Sequence, residues 1–173
     1  MSEPLRIVEY PDPRLKKRSI AVPPLGPELR ALAEQMFVLM RDAQGVGLAA
    51  PQVGKNLRLF VMNATGKPED DRVYLNPQLS DLDGDEEGEE GCLSIPELRV
   101  KVVRAKHARI EALDLDGNKI DQSADGFVTR IWQHETDHLD GVLLTDRMGS
   151  VAKIANRGLL KDLEEKYKRA LGG

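Results

Sequence analysis

Gln133-His134-Glu135-Thr136-Asp137-His138-Leu139-Asp140-Gly141 sets two histidines four residues apart. On an α-helix that spacing puts both imidazoles on one face, one turn apart and within reach of a single metal ion. Glu135 is turned about 100° around the helix from its neighbour His134, so its carboxylate is aimed at a water beside the ion. His-Glu-x-x-His also occurs in helices that bind nothing, and the flanks decide between the readings. Phe127, Ile131, His134 and His138 step by four, three and four. The histidine face thus continues an apolar one, and such a face is expected to be buried. Buried imidazoles need partners, and one shared ion satisfies both.

Working outward, Asp125 is the predicted N-cap of this helix and Gly141 its stop. Residues 98–106 and 108–115 read as antiparallel strands, and Asp116-Gly117-Asn118 turns the chain into a third near Lys119 and Ile120. His107, between two of these strands, reads as a turn residue. Residues 81–90 carry seven acidic side chains without the spacing of a calcium loop, which predicts a solvated loop. The character then changes abruptly to Glu90-Gly91-Cys92-Leu93-Ser94-Ile95-Pro96. Residues 57–62 and 72–75 read as strands, the second ended by Asn76-Pro77. Gly45-Val46-Gly47-Leu48-Ala49-Ala50-Pro51-Gln52-Val53-Gly54 is too rich in glycine and proline for a regular element and too apolar for a solvated loop. It is no phosphate loop, because no Gly-Lys-Ser/Thr follows.

A helix is predicted from Pro27, with Leu29, Leu32, Ala33, Met36, Leu39, Met40 and Ala43 on one face and Gly45 as its C-cap. Residues 1–25 hold five prolines and read as an extended arm. A last helix is predicted from about 150 to 171, apolar along Leu159, Leu160, Leu163, Tyr167 and Leu171 and weakened at Gly158. The order predicts one α+β domain over residues 1–173. Antiparallel or mixed β-sheets surround a central metal-binding helix, with an N-terminal helix and a C-terminal helix beside them.

A chain of 173 residues, 40% apolar and 31% charged, is long enough for a real core and has an ordinary globular composition. Its net charge of −4 argues against a general DNA or RNA binder. No run approaches eighteen apolar residues and no signal peptide is visible, so neither membrane insertion nor secretion is expected. A single cysteine, Cys92, forms no internal disulfide, which favours a reducing compartment such as the cytoplasm.

A catalytic site of this kind keeps three protein ligands and an open position. The metzincin continuation is missing after His138. Glu164, Glu165 and Cys92 remain as candidates for the third ligand, and spacing alone leaves them open. A closed structural site, completed by His107 or Asp137, is a further alternative. Glu135 argues against it, since such a site has no use for a carboxylate aimed at water.

Gly45-Val46-Gly47-Leu48-Ala49-Ala50-Pro51-Gln52, Glu90-Gly91-Cys92-Leu93-Ser94 and Gln133-His134-Glu135-Thr136-Asp137-His138 resemble the three signature motifs of the peptide deformylases, in that family's order and near its separations. Tyr10-Pro11-Asp12-Pro13-Arg14-Leu15 resembles its N-terminus. The resemblance implies a metallo-amidase that removes the N-formyl group from the initiator methionine of new polypeptides and releases formate. It implies that Cys92, His134 and His138 hold one divalent ion, Fe²⁺ physiologically, with Zn²⁺, Ni²⁺ or Co²⁺ able to replace it. Water in the fourth position attacks, Glu135 is the general acid and base, and the Gln52 amide and Leu93 N–H stabilise the oxyanion. Val46, Gly47, Phe127 and Ile131 would receive the substrate, with Glu90 and Arg99 paired nearby. Gly88 departs from the family, where a bulkier apolar residue is common at that edge. The expected partners are N-formylmethionyl nascent peptides and, through the basic side of the last helix, the ribosome near its exit tunnel. The expected compartment is the bacterial-type cytoplasm.

Overall fold

Pro27 in the first turn and an apolar face of Leu29, Ala33, Met36, Phe37 and Met40 make α1 (Pro27–Asp42). The computed structural model describes residues 4–23 and 26–172. Within the proline-rich arm, residues 1–3 and 24–25 lie outside the described residues. At the end of α1 the left-handed position falls on Gln44 (φ +58°), one residue before the predicted cap Gly45. The Gly45 N–H reaches back to the Met40 carbonyl at 2.8 Å. Gly45 instead leaves room for Leu93, whose Cδ1 a Cβ there would approach to 2.7 Å.

The glycine-rich stretch is more regular than its composition predicts. It forms β1 (Gly47–Ala49) and a 3₁₀ turn (Ala50–Val53), all buried. Small residues let backbone pack where a larger side chain would not fit. After it come β2 (Leu59–Met62) and β3 (Arg72–Asp83), and later β6 (His107–Leu113) and β7 (Lys119–Asp125). These five strands make one sheet in the order β1-β2-β3-β6-β7, every pair antiparallel. Asn76-Pro77 does not end β3 as expected. The register with β6 shifts between Leu75 and Gln78, Asn76 takes φ +50°, and the strand resumes. A proline that cannot donate is accommodated at such an irregularity.

The acidic run is likewise not a solvated loop. Its first part ends β3, Gly84 turns at φ +72°, and its second part opens β4 (Glu86–Cys92), which pairs with β5 (Ile95–Arg104) as a separate hairpin. Alternation explains how so acidic a segment forms a strand. Glu87 and Glu89 face water while Glu90 turns inward and is buried.

The histidine helix α2 (Phe127–Leu139) begins after Gly126 (φ +71°), not at Asp125. Asp125 is still paired with His107 in the sheet, and its carboxylate lies 2.6 Å from His107 Nδ1. Apolar residues dock α2 on the five-stranded sheet: Ile131, Trp132 and Leu139 pack with Phe60, Met62, Tyr74, Ala108 and Ile110. Burying each large apolar side chain contributes about 1.5–3 kcal/mol. Polar residues dock the same helix on the hairpin, where Gln133 exchanges bonds of 2.9 Å with both backbone groups of Ala105.

Short α3 (Leu144–Arg147) and α4 (Ser150–Ala155) lead into α5 (Arg157–Gly172). The predicted single last helix is broken at Asn156, whose side chain bonds the Ala152 carbonyl, and not weakened at Gly158. Leu163 packs with Leu98, Val100 and Val102 of the hairpin, whereas Leu171 is 70% exposed. The apolar face of α5 therefore stops short of its end. Past α2, Gly141 combines φ +74° with a position where a Cβ would collide with the Lys16 carbonyl. Gly141→Ala is expected to lower stability by about 2 kcal/mol or more in urea denaturation; a loss under about 0.5 kcal/mol would contradict this packing.

Candidate active site

α2 presents His134 and His138 one turn apart, with ring centroids separated by 5.1 Å. Cys92 arrives from the end of β4, where the register with β5 slips between Gly91 and Cys92. Its Sγ lies 3.4 Å from His138 Nε2, and one ligand atom from each of the three residues falls within 4.8 Å of the other two. One sulfur and two imidazole nitrogens at such separations fit a tetrahedral ion with metal–sulfur and metal–nitrogen bonds of about 2.3 and ~2.0 Å. The other candidates for a third ligand lie elsewhere. Glu164 accepts the Tyr10 hydroxyl at 2.6 Å, Glu165 is exposed on α5, and His107 is engaged with Asp125. Asp137 faces arginines.

Behind the cluster, His134 Nδ1 lies 2.8 Å from Glu90 Oε1. Glu90 in turn receives Arg104 through Nε and Nη2, each at 2.9 Å, and Arg130 Nη1 at 2.6 Å. Arg104 also reaches Asp137 at 2.6 Å, and Arg147 grips the same carboxylate with two bonds. Burial works against the Glu90 charge, but the bonds from Arg104 and His134 outweigh it and hold the carboxyl well below its usual range. The expected pairing of Glu90 with Arg99 is thus not present. Arg99 has the outward parity of β5, and its guanidinium lies against Gly91. Arg104 shares the inward parity of Leu98, Val100 and Val102, so strand alternation was the signal that could have found it. Arg130, one position before Ile131, finds its partners on β4 and β5, far away in the chain.

Glu135 is buried, and its Oε1 has no hydrogen-bond partner among the described residues. Burial raises its pKa to about 7, partly countered by the nearby His134 charge. Burial and the positive charges of His134 and Arg104 push His138 well below its ordinary value, toward the neutral form that can bind a metal. Gly47 of β1 approaches so closely that a Cβ would come 2.6 Å from Glu135 Oε2. The Gln52 side chain is held by accepting the Ala49 N–H at 2.9 Å, and its Nε2 donates to Ser94 Oγ at 3.0 Å and lies 3.7 Å from Cys92 Sγ. Leu93 sits in the turn between β4 and β5. The N-terminal arm ties the two loops together from behind. Val8 N–H donates to the Gln52 carbonyl at 2.7 Å and Tyr10 N–H to the Ser94 carbonyl at 2.8 Å.

Cys92, His134, Glu135, Gln52 and Leu93 border one cavity of about 500 Å³, with Val46, Ile131 and Phe127 among its walls, while His138 is buried beside Cys92. Phe127 departs from the expected buried face. It is 53% exposed and stands at the cavity mouth, one turn above Ile131. A larger groove, about 1220 Å³, runs between the arm and α5 and is lined by none of Cys92, His134 and His138.

The model of the polypeptide deformylase family matches residues 4–153. The chain belongs to the polypeptide deformylase family. The peptide deformylase of Rhodopirellula baltica is 40% identical over 171 residues, spanning 98% of this chain and 85% of that protein. That of Acidobacterium capsulatum is 42% identical, spanning 85% of this chain and 88% of its own. Among solved structures, a plant peptide deformylase superposes with a TM-score of 0.95 at 38% identity, over all of this chain and 96% of that one. The Plasmodium falciparum deformylase gives 0.92 at 38% identity, over 95% and 98%. The antiparallel sheets around a histidine helix are therefore the deformylase fold, and the chain is an enzyme of that family. Glu90→Gln is expected to weaken divalent-metal affinity about 10- to 100-fold in chelator competition; unchanged affinity would show that Glu90 does not support His134.

Proposed function

We propose that this chain, acting as one catalytic unit over residues 1–173, removes the N-formyl group from formylmethionyl peptides and releases formate. The observation that carries the reading is a cluster of three donors (Cys92, His134, His138) whose first two line one cavity together with an unpartnered carboxylate (Glu135) and a side-chain amide (Gln52).

Cys92, His134 and His138 would hold a divalent ion, which supplies Lewis acidity to activate water and polarise the formyl carbonyl. Fe²⁺ is the proposed physiological ion, and the same donors suit Zn²⁺, Ni²⁺ or Co²⁺. Glu135 accepts the proton of the attacking water on its free oxygen and returns it to the departing amine, so that hydrolysis balances without another acid. The Gln52 amide and the Leu93 N–H donate to the oxygen that becomes negative as the carbonyl carbon turns tetrahedral. Both donors are fixed in advance, Gln52 by Ala49 and Ser94, Leu93 by the hairpin turn. Val46, Phe127 and Ile131 shape the side-chain cavity, and Gly47 keeps backbone close to Glu135.

The proposed compartment is the cytoplasm; no helix of the described residues is long and apolar enough to cross a membrane. A ribosomal partner is proposed for α5, where Lys161, Lys166, Lys168 and Arg169 are exposed. Reversing the charge of Lys161, Lys166 and Lys168 is then expected to reduce co-sedimentation with ribosomes, and unchanged co-sedimentation removes that partner.

The central test is formate release from formyl-Met-Ala-Ser by anaerobically purified protein, with metal analysis alongside. Glu135→Ala is expected to keep its metal and lose about 10²–10⁴ in rate, and Gln52→Ala to lose about 10²–10³. Cys92→Ala is expected to lose the metal. No formate from fully metallated protein, or a Cys92→Ala variant that keeps both metal and hydrolysis, overturns the assignment.

A further inference from the structure

Val46 and Ile131 give the cavity beside the donor cluster apolar walls, and Arg130 is one of the charged residues, with Glu90, Arg99 and Glu135, that line the rest. The Arg130 side chain is only 9% exposed. Its guanidinium lies over Gly88 of β4, where a Cβ would come 2.9 Å from Cζ and 3.1 Å from both Nε and Nη2. Arg130 thus fills the space that a side chain at position 88 would claim, and Gly88 is what seats it there.

A guanidinium carries five N–H donors. Arg130 uses three: Nη1 donates to Glu90 Oε2 at 2.6 Å and to the Val102 carbonyl at 3.0 Å, and Nη2 to the Glu86 carbonyl at 2.6 Å. Among the described residues, Nε–H and the second Nη2–H have no acceptor. Unpaired donors at a cavity wall meet solvent while the cavity is empty, so a ligand that can accept them is favoured over an aliphatic group, which leaves them dehydrated. The bonds already made fix the plane of the guanidinium, so the donors cannot turn away to suit an apolar occupant.

We propose that Arg130, seated by Gly88, is a specificity-determining residue for the first side chain of the peptide. It selects chains that end in a sulfur acceptor, thioether or sulfoxide, over aliphatic chains of equal length. A thioether sulfur is polarizable and a weak acceptor, a sulfoxide oxygen is a strong one, and the methylene that replaces sulfur in norleucine accepts nothing. This rests on the deformylase reading, which puts the first side chain in this cavity.

The test compares kcat/KM for Ala-Ser peptides headed by formylmethionine, formylnorleucine and formylmethionine sulfoxide. Wild type is expected to favour methionine over norleucine about fivefold and to process the sulfoxide no worse than norleucine. Arg130→Met is expected to bring the methionine-to-norleucine ratio near one and to push the sulfoxide below both. Gly88→Ala, which displaces the guanidinium without removing its charge, is expected to lower the same ratio at least twofold. If Arg130 only braces Glu90, all three peptides slow together and the ratios stay put. A wild-type ratio near one, or an unchanged ratio in either variant once metal content and melting show it folded, overturns the proposal. If no peptide releases formate, the deformylase reading fails by itself. Calorimetric binding of Met-Ala-Ser against norleucyl-Ala-Ser then still decides whether Arg130 discriminates, with equal affinities counting against it.

Discussion

A carboxylate buried between two arginines and a histidine holds the site together. Glu90 faces inward from a strand otherwise rich in exposed acids, and it is charged because Arg104, Arg130 and His134 all meet it. Removing one partner of such a group commonly costs 3–5 kcal/mol, because the others are left charged and desolvated. The arrangement therefore has little tolerance for a shift of β4 against α2. That rigidity transfers to the imidazole of His134, whose outer nitrogen is fixed by the same carboxylate.

Two kinds of contact divide the work of placing α2. Toward the five-stranded sheet the helix is held by Trp132, Ile131 and Leu139, which specify depth but tolerate small slides. Toward the hairpin it is held by Gln133, Arg130 and the carboxylate at 90, whose directional bonds specify register. Cys92 comes from the hairpin and the two histidines from the helix, so the directional side is the one that sets the distance between sulfur and nitrogen.

How much of this was legible from residue order depended on the kind of signal. The histidine helix, α1 and the three strands beyond residue 98 followed from apolar periodicity and turn residues, because those patterns are local. The acidic stretch misled because charge density outweighed alternation, and alternation was the truer guide: Glu90 and Arg104 both sit at inward positions of their strands. Asn76-Pro77 reads as a stop in isolation, and only the neighbouring strands show that the sheet continues past it. The donor set was legible in part. His134 and His138 announce themselves by spacing, whereas Cys92 stood level with Glu164 and Glu165 until the hairpin brought it to the helix. Arg130 carried no local signal at all, since its partners lie on two other strands.

The N-terminal arm gives the molecule a temporal order as well as a shape. Residues 8 and 10 stitch the Gln52 turn to the Ser94 turn, and the Tyr10 hydroxyl closes onto Glu164, 154 positions away in the chain. Contacts of such sequence separation form late, because the intervening loop must close first. A chain made from its N-terminus onward therefore lacks the α5 anchor of its arm through most of its own synthesis. The Gln52 and Ser94 turns can be stitched once the hairpin exists, and the bond from the arm to α5 comes last. Anchoring of the arm is in this way a two-stage process, first to the turns and then to the helix.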